Sequence, residues 1–481
     1  MSVTETVRVI DSQLGAMTTA EPSGYDCGFL SEFVPEDRIA YERSVRAQYA
    51  ADASPHDGRL PDAVVWPHTT AEVSAILEAA NERGVPITPW SGGSSLEGNA
   101  IPVAGGIVLN TFEMDSVEVR PEDLQVVVGP GIVYDDLNDK LAAHGLRFPP
   151  GISSADAATI GGMIANNASG INAVGYGETR DHVLRLEVVL PDGEVIQCGR
   201  DVIKTSAGYS LKDLFVGSEG TLGVITEATL SLAGIPQEKH AALVTFPSRR
   251  DASNAVSEII RFGIRPGAIE FVDRESIRLI NQYRGASVLP DQPLLVIEMH
   301  ANNSGIEEDV EFVRSICADN GSVEWTDRSG DEMDEIWAAR DDALASYKSY
   351  SEETEPAIIG DVVVPISRYP DIVEAVGDAA ADLDLLVPSI GHAGDGNLHY
   401  TPIIDPDDED AVERAFELND RVVRRAIELG GSATGEHGVG IGKRKFMNQE
   451  HANAIDVMAK IKDAIDPAGT MNPGKVLPDP E

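Results

Sequence analysis

Two short stretches near the C-terminus gather chemically able side chains among glycines: Gly391-His392-Ala393-Gly394-Asp395-Gly396-Asn397-Leu398-His399 and Gly435-Glu436-His437-Gly438-Val439-Gly440. Together they hold three of the ten histidines in a chain of 481 residues. His392 and His399 lie seven positions apart, and an uninterrupted strand would turn them to opposite faces. Asp395-Gly396 is a hairpin-turn dipeptide, so the chain can run in over 389–392, reverse at 394–396 and aim both imidazoles at one point. Two histidines and one glutamate form a ligand set for a divalent metal that leaves positions open for substrate. The histidine pair alone is also what hydrogen-bonded loop histidines look like. Glu436 offers a third ligand, and His437 beside it offers a base whose ordinary pKa lies near neutrality.

The elements that must carry these residues alternate between helix and strand from about residue 61. Thr69-Thr70-Ala71-Glu72 is a capping box, and Val73, Ile76, Leu77 and Ala80 form a helical stripe that stops at Gly84. Residues 85–90 read as a short strand running into Ser91-Gly92-Gly93-Ser94-Ser95-Leu96-Glu97-Gly98, a turn whose backbone N–H groups could cradle a pyrophosphate. The turn departs from GxGxxG and no helix-forming run follows it, which argues against a Rossmann domain; on its own it can equally be just a turn. Apolar segments at 107–110, 125–128 and 186–190 read as strands, the last ending in the turn Pro191-Asp192-Gly193. Small residues dominate 159–170, which fits either close approach to something flat or phosphorylated or tight helix–sheet packing. Residues 215–226 repeat the glycine pattern before another strand. A boundary falls near Gly234-Ile235-Pro236. Beyond it, helical runs at 254–262 and 370–383 alternate with strands at 294–299 and 361–364, predicting an antiparallel sheet with helices on one side. Residues 1–60 are mostly polar and helix-like, and no repeat or low-complexity segment occurs.

Composition bounds the partners. The chain has 80 Asp plus Glu against 37 Lys plus Arg, ten of them Lys, for a net charge of −43. A phosphate backbone would meet a repelling field, so nucleic acid is excluded as a partner. The acid is dispersed rather than gathered in a tail, a pattern expected of a salt-accumulating halophile, where high ionic strength screens self-repulsion. Three cysteines, Cys27, Cys198 and Cys317, and no CxxC disfavour disulfide scaffolds and iron–sulfur clusters. No signal sequence and no long apolar run occur, so a cytoplasmic protein without a membrane span is expected.

The ordered motifs Pro89-Trp90-Ser91-Gly92-Gly93-Ser94-Ser95, Thr159-Ile160-Gly161-Gly162, Gly217-Ser218-Glu219-Gly220-Thr221-Leu222-Gly223, Gly394-Asp395-Gly396-Asn397-Leu398-His399, Gly435-Glu436-His437-Gly438 and Asn472-Pro473-Gly474-Lys475 resemble those of FAD-linked oxidases of the vanillyl-alcohol oxidase (PCMH) type. Within that group the chain is most similar to the cytochrome-linked D-lactate dehydrogenases and the glycolate oxidase flavoprotein subunit. The resemblance, running from about residue 55 to the C-terminus, implies an α+β protein. It divides into a lead at 1–56, expected to be helical, and a PCMH-type FAD-binding domain of two α+β subdomains at 57–235. A cap domain with an antiparallel sheet flanked by helices follows at 236–430, and a segment returning to the flavin at 431–481. By motif position, Pro89, Ser91, Gly92, Gly93, Ser94, Ser95 and Gly98 would hold the pyrophosphate. Thr159, Gly161, Gly162, Ser169, Glu219 and Ile225 would line the rest, and Asn472 would sit near the isoalloxazine. Ser94 stands where some relatives tether FAD through histidine, so the FAD should be noncovalent.

The same resemblance implies that His392, His399 and Glu436 hold zinc, manganese or iron, which would act as a Lewis acid on the substrate's 2-hydroxyl. His437 would be the base for hydride loss to flavin N5, and Arg340 would pair with the substrate carboxylate, the alternative for Arg340 being a surface ion pair. Relatives acting on D-2-hydroxyglutarate carry a threonine and a lysine where this chain has Leu344 and Ile359, so a second carboxylate would be buried without a partner. A small 2-hydroxy acid follows, D-lactate before glycolate, with D-2-hydroxyglutarate a further alternative. The electron acceptor could be a cytochrome, quinone, ferredoxin, electron-transfer flavoprotein or oxygen, and a homodimer is allowed. Competing readings are a flavin-dependent transferase of the alkyl-dihydroxyacetone-phosphate synthase kind and an inactive structural subunit.

Overall fold

The computed structural model describes residues 20–302 and 305–479. The first of its three main sheets runs Ile39–Ala40, Ala63–Val65, Ile107–Asn110, Ile87–Trp90, with the last three strands parallel. Helix Thr70–Arg83 carries the chain from Ala63–Val65 to the far strand Ile87–Trp90, and the loop 91–106 brings it back to the strand between them. Thr69 caps its start by accepting from the Glu72 N–H, and Gly84 ends it in the left-handed conformation at φ 62°. Its stripe of Val73, Ile76, Leu77 and Ala80 packs against Val65, Ile87 and Leu109 of the sheet. Val73, Ile76 and Leu77 each contribute about 1.5–3 kcal/mol by leaving water.

The second sheet is antiparallel, in the order Val117–Arg120, Gln125–Val128, Val224–Ser231, Val183–Val189, Val195–Gly199. Helices Tyr134–Ala142 and Ile160–Asn166 bury Leu137, Leu141, Ile160 and Ile164 against it. These two sheets with their helices form the two α+β halves of the chain's N-terminal region.

The third sheet has seven antiparallel strands, ordered Glu324–Arg328, Glu238–Thr245, Leu294–Ala301, Ala268–Val272, Ser389–His392, Asn397–Tyr400, Gly360–Val363. Alternation along Glu238–Thr245 sends Ala242 and Val244 to a core shared with helices Arg249–Arg261, Ile306–Asp319, Tyr369–Asp382 and Glu409–Glu428. Ala241 and Leu243 face the other way, onto helices Arg274–Arg284 and Asp331–Asp341. Helices therefore cover both faces, not one as expected. The cause is visible in Leu294–Ala301, whose first four residues are all apolar and so bury both faces of the strand.

The lead also differs from its expected helical form. Residues 1–19 lie outside the described residues, and the rest of the lead forms 3-10 turns at Gly28–Glu32, Glu36–Arg38 and Ala47–Tyr49 and one helical turn at Arg43–Arg46. It also supplies Ile39–Ala40 as an edge strand of the first sheet. At the other end the chain comes back to the first sheet: Ile87 N–H donates to Thr470 O at 2.8 Å and Asn472 N–H to Ile87 O at 2.7 Å. Where the region of the third sheet, the expected cap, meets the two N-terminal sheets, Asn172 Nδ2 donates to Gly267 O at 2.8 Å and Tyr176 Oη lies 2.8 Å from His300 Nδ1. Among the described residues no helix is long and apolar enough to cross a membrane.

Candidate active site

A cavity of about 470 Å³ opens between the two N-terminal sheets and the region of the third sheet. One wall is built from the strand end and loop Pro89, Ser91, Gly92, Gly93, Ser94 and Ser95 together with Thr159, Gly161, Gly162, Ser169, Glu219 and Ile225. Thr159 fixes this wall by accepting from Gly162 N–H while its hydroxyl meets Ser91 Oγ at 2.5 Å. A Cβ on Gly92 would sit 2.5 Å from Ala157 O and one on Gly161 2.6 Å from Pro130 Cβ, so glycine is what lets these backbones approach. At Gly162 the nearest protein atoms are at ordinary contact, 3.4 Å and more, and a side chain there would intrude on the cavity. A wall of bare backbone and small hydroxyls suits a flat, phosphorylated group such as FAD.

Two expected flavin contacts fall outside this wall. Gly98, at φ 75°, turns toward Ile441 and His56, with its Cβ position 2.7 Å from Ile441 Cδ1. Asn472 is 2% exposed and spends its Nδ2 on Asn99 O at 2.9 Å and Glu219 O at 2.7 Å. Both act as packing and tying residues behind the cavity. Glu219 touches the cavity, yet its carboxylate accepts from Val439 N–H at 2.6 Å, Gly440 N–H at 2.9 Å and Asn99 Nδ2 at 2.7 Å. It therefore anchors the loop that follows His437.

The opposite wall comes from the cap. Strands Ser389–His392 and Asn397–Tyr400 form the expected hairpin, reversing through a 3-10 turn to Gly396 at φ 87°, where any Cβ would collide with Val364 O. The reversal sets the His392 and His399 rings 5.2 Å apart, centroid to centroid. Glu436 enters from the C-terminal segment, its Oε1 3.1 Å from His399 Nε2 and 3.6 Å from His392 Nε2. Ligand atoms of the three residues lie within 4.8 Å of one another. Bond lengths of 2.0–2.1 Å around a tetrahedral ion place ligand atoms about 3.3 Å apart, so the set fits a divalent metal with little movement. The field agrees. Burial disfavours charge on both, yet Glu270 and Glu436 hold His392 well above its usual value, and His392 and His399 hold Glu436 well below its own. His399 and Glu436 reach the cavity, whereas His392 stands behind them, 3% exposed.

His437 also reaches the cavity, its Nε2 3.7 Å from Glu436 Oε1 and its Nδ1 4.0 Å from Asp361 Oδ2. Burial lowers its pKa below 6.5 despite the nearby carboxylates, leaving it neutral and able to accept a proton. Arg340, 5% exposed on helix Asp331–Asp341, is no surface pair: its Nε donates to Glu270 Oε2 at 2.8 Å and its Nη1 to Ser153 Oγ at 3.3 Å, beside the cavity. Leu344, Tyr347, Ile359 and Ile390 line the same cavity with apolar surface.

The family model for the FAD binding domain matches residues 61–199, and that for the C-terminal domain of FAD linked oxidases matches residues 235–476. The chain belongs to the FAD-linked oxidase family. It is similar to a probable mitochondrial D-lactate dehydrogenase of Danio rerio, at 39% identity over 92% of this chain and 89% of that one. A glycolate oxidase subunit GlcD of Bacillus subtilis is 38% identical over 90% of this chain and 92% of that one. Two solved structures share the fold of this FAD-linked oxidase. p-Cresol methylhydroxylase has TM-score 0.80 at 15% identity over 95% of this chain and 98% of its own, and alkyldihydroxyacetonephosphate synthase has 0.74 at 19% over 96% and 88%.

Two carboxylates central to this arrangement carry no motif. Asp361 Oδ2 accepts from Thr434 Oγ1 at 2.7 Å and from the N–H groups of Gly435, Glu436 and His437 at 2.8, 3.0 and 3.1 Å. Although burial opposes its charge, its carboxyl lies far below the usual carboxylate range, facing the His437 and His399 imidazoles and taking these four hydrogen bonds in its ionised form. Glu270 is the other. Each is a single acid in an otherwise apolar strand, which is the signal that could have marked them.

Proposed function

We propose that this chain is an FAD-dependent D-2-hydroxy acid dehydrogenase that oxidises D-lactate to pyruvate, with glycolate the second substrate. The observation that carries the reading is the convergence of His399, Glu436, His437 and Arg340 on the cavity wall facing the flavin-binding loops. When bound, FAD would supply a hydride acceptor, and a divalent ion on His392, His399 and Glu436 a Lewis acid. Arg340 pairs with the substrate carboxylate through its guanidinium, a planar fork suited to two parallel hydrogen bonds. His437 Nε2, the ring nitrogen turned toward Glu436, takes the proton of the 2-hydroxyl. Leu344 and Ile359 line the cavity and offer a second carboxylate no counter-charge, which supports a monocarboxylic substrate. The relatives named D-lactate dehydrogenase and glycolate oxidase subunit support the same two substrates. Electrons would pass on to a carrier such as a cytochrome, quinone, ferredoxin or electron-transfer flavoprotein. The dispersed charge of −43 supports a host that accumulates salt in its cytoplasm.

The test is a panel of D-lactate, L-lactate, glycolate and D-2-hydroxyglutarate with dye acceptors, alongside metal analysis of the purified protein. D-Lactate should turn over fastest and should bleach the flavin anaerobically. Faster oxidation of the five-carbon diacid would overturn the substrate assignment, and no bleaching by any 2-hydroxy acid would favour group transfer of the alkyl-dihydroxyacetone-phosphate synthase kind.

A further inference from the structure

Strand pairing sets Glu270 directly opposite His392, on the sheet face that helix Asp331–Asp341 covers with Arg340. Glu270 is fully buried, and each of its oxygens has one task. Oε1 accepts from His392 Nδ1 at 2.5 Å, and Oε2 accepts from Arg340 Nε at 2.8 Å. We infer that Glu270 is a shared positioning residue: it fixes the ligand nitrogen of His392 and the aim of Arg340 at once, so that metal and substrate carboxylate are gripped by two arms of one rigid unit. The inference rests on the functional reading above.

The chemistry of the three groups makes the arrangement exacting. A neutral imidazole carries one ring proton; while Nδ1–H donates to Glu270, the lone pair is on Nε2, the nitrogen 3.6 Å from Glu436 Oε1. The guanidinium is a permanent donor and, buried as it is, requires a counter-charge. Two donors need two acceptor oxygens, which a carboxylate has and an amide lacks. In Glu270→Gln the amide oxygen goes to the charged guanidinium and the NH2 faces His392. The imidazole must then accept at Nδ1, and its proton moves to Nε2, where the metal needs a lone pair.

The experiment uses the FAD-loaded protein stripped of metal, with zinc or manganese affinity measured by competition against a chromophoric chelator. Glu270→Gln should bind metal roughly 10–100-fold more weakly while keeping its flavin. With metal saturating, its KM for D-lactate should rise several-fold and more than kcat falls. Unchanged metal affinity overturns the inference, and so does weakened metal binding with an unchanged KM, because Glu270 would then serve the ligand alone. Should Glu270→Gln not fold, Arg340→Lys reads the same linkage from the other arm. Although Arg340 is not a ligand, its loss should weaken metal binding by about five-fold or more, the coupling expected within one hydrogen-bond network, and unaltered affinity overturns the shared role. A wild-type protein that takes up no metal would overturn the functional reading and this inference together, whereas a metal-binding wild type beside an unaltered Glu270→Gln overturns the inference alone.

Discussion

The imidazole rings of His399 and His437 are stacked, with centroids 5.2 Å apart and 13° between their planes. One ring comes from a hairpin of the cap sheet and the other from the C-terminal segment, so the proposed ligand and the proposed base hold each other in place. Their division of labour can be separated by substitution.

His437→Ala should cut the rate of flavin reduction by D-lactate by roughly 10²–10⁴-fold, the usual worth of a positioned base. Flavin content should be unchanged, since His437 stands with Glu436 and His399 on the wall opposite the glycine-rich loops proposed to hold the flavin. Anaerobic stopped-flow bleaching and the flavin-to-protein absorbance ratio check both points, and loss of FAD would mean the residue has been misassigned.

The acid limb of kcat/KM should lie below pH 6.5. Burial lowers the His437 pKa from that value, and a divalent ion nearby would push it further the same way. A base must be unprotonated, so activity is complete above this pKa and falls as pH drops through it. A pH profile still rising above pH 7 would contradict the assignment.

Asp361→Asn should destabilise the protein by on the order of 2–4 kcal/mol, because a charged acceptor of the hydroxyl and three N–H groups of residues 434–437 is replaced by an amide. The loop it holds carries Glu436 and His437, so metal affinity and kcat should fall together. Chemical unfolding and metal titration of the variant measure the two effects, and a variant as stable as the wild type would show the loop to be held by other contacts.

Thermal stability should rise steeply from dilute buffer to molar KCl, since a net charge of −43 is self-repelling until screened. Equal melting temperatures at the two salt levels would remove the argument for a salt-accumulating host.

The hairpin was legible in the sequence because a local rule governs it: Asp395-Gly396 can reverse the chain, and period-two alternation does the rest. Gly98 and Asn472, expected at the flavin, lie outside the cavity lining, since a motif places a loop but not which of its residues face an opening. Glu270 and Asp361 were hidden for a different reason. Their partners His392 and Glu436 lie 122 and 75 positions away in the chain, and only the folded sheet brings an acid in an apolar strand beside them. The second helical layer was not legible because the apolar run of Leu294 to Ile297 is short and Glu298 and His300 after it restore the alternation of a strand covered on one face.

The contacts between Asn172 and Gly267 and between Tyr176 and His300 join the two bodies whose walls face each other across the cavity. On the proposed chemistry, one body carries the hydride acceptor and the other the donor, so this joint works as a spacer that sets the transfer distance. Catalytic rate would then be adjustable from positions that touch neither substrate nor cofactor, and drift at the joint would register as slower chemistry before it registered as weaker binding.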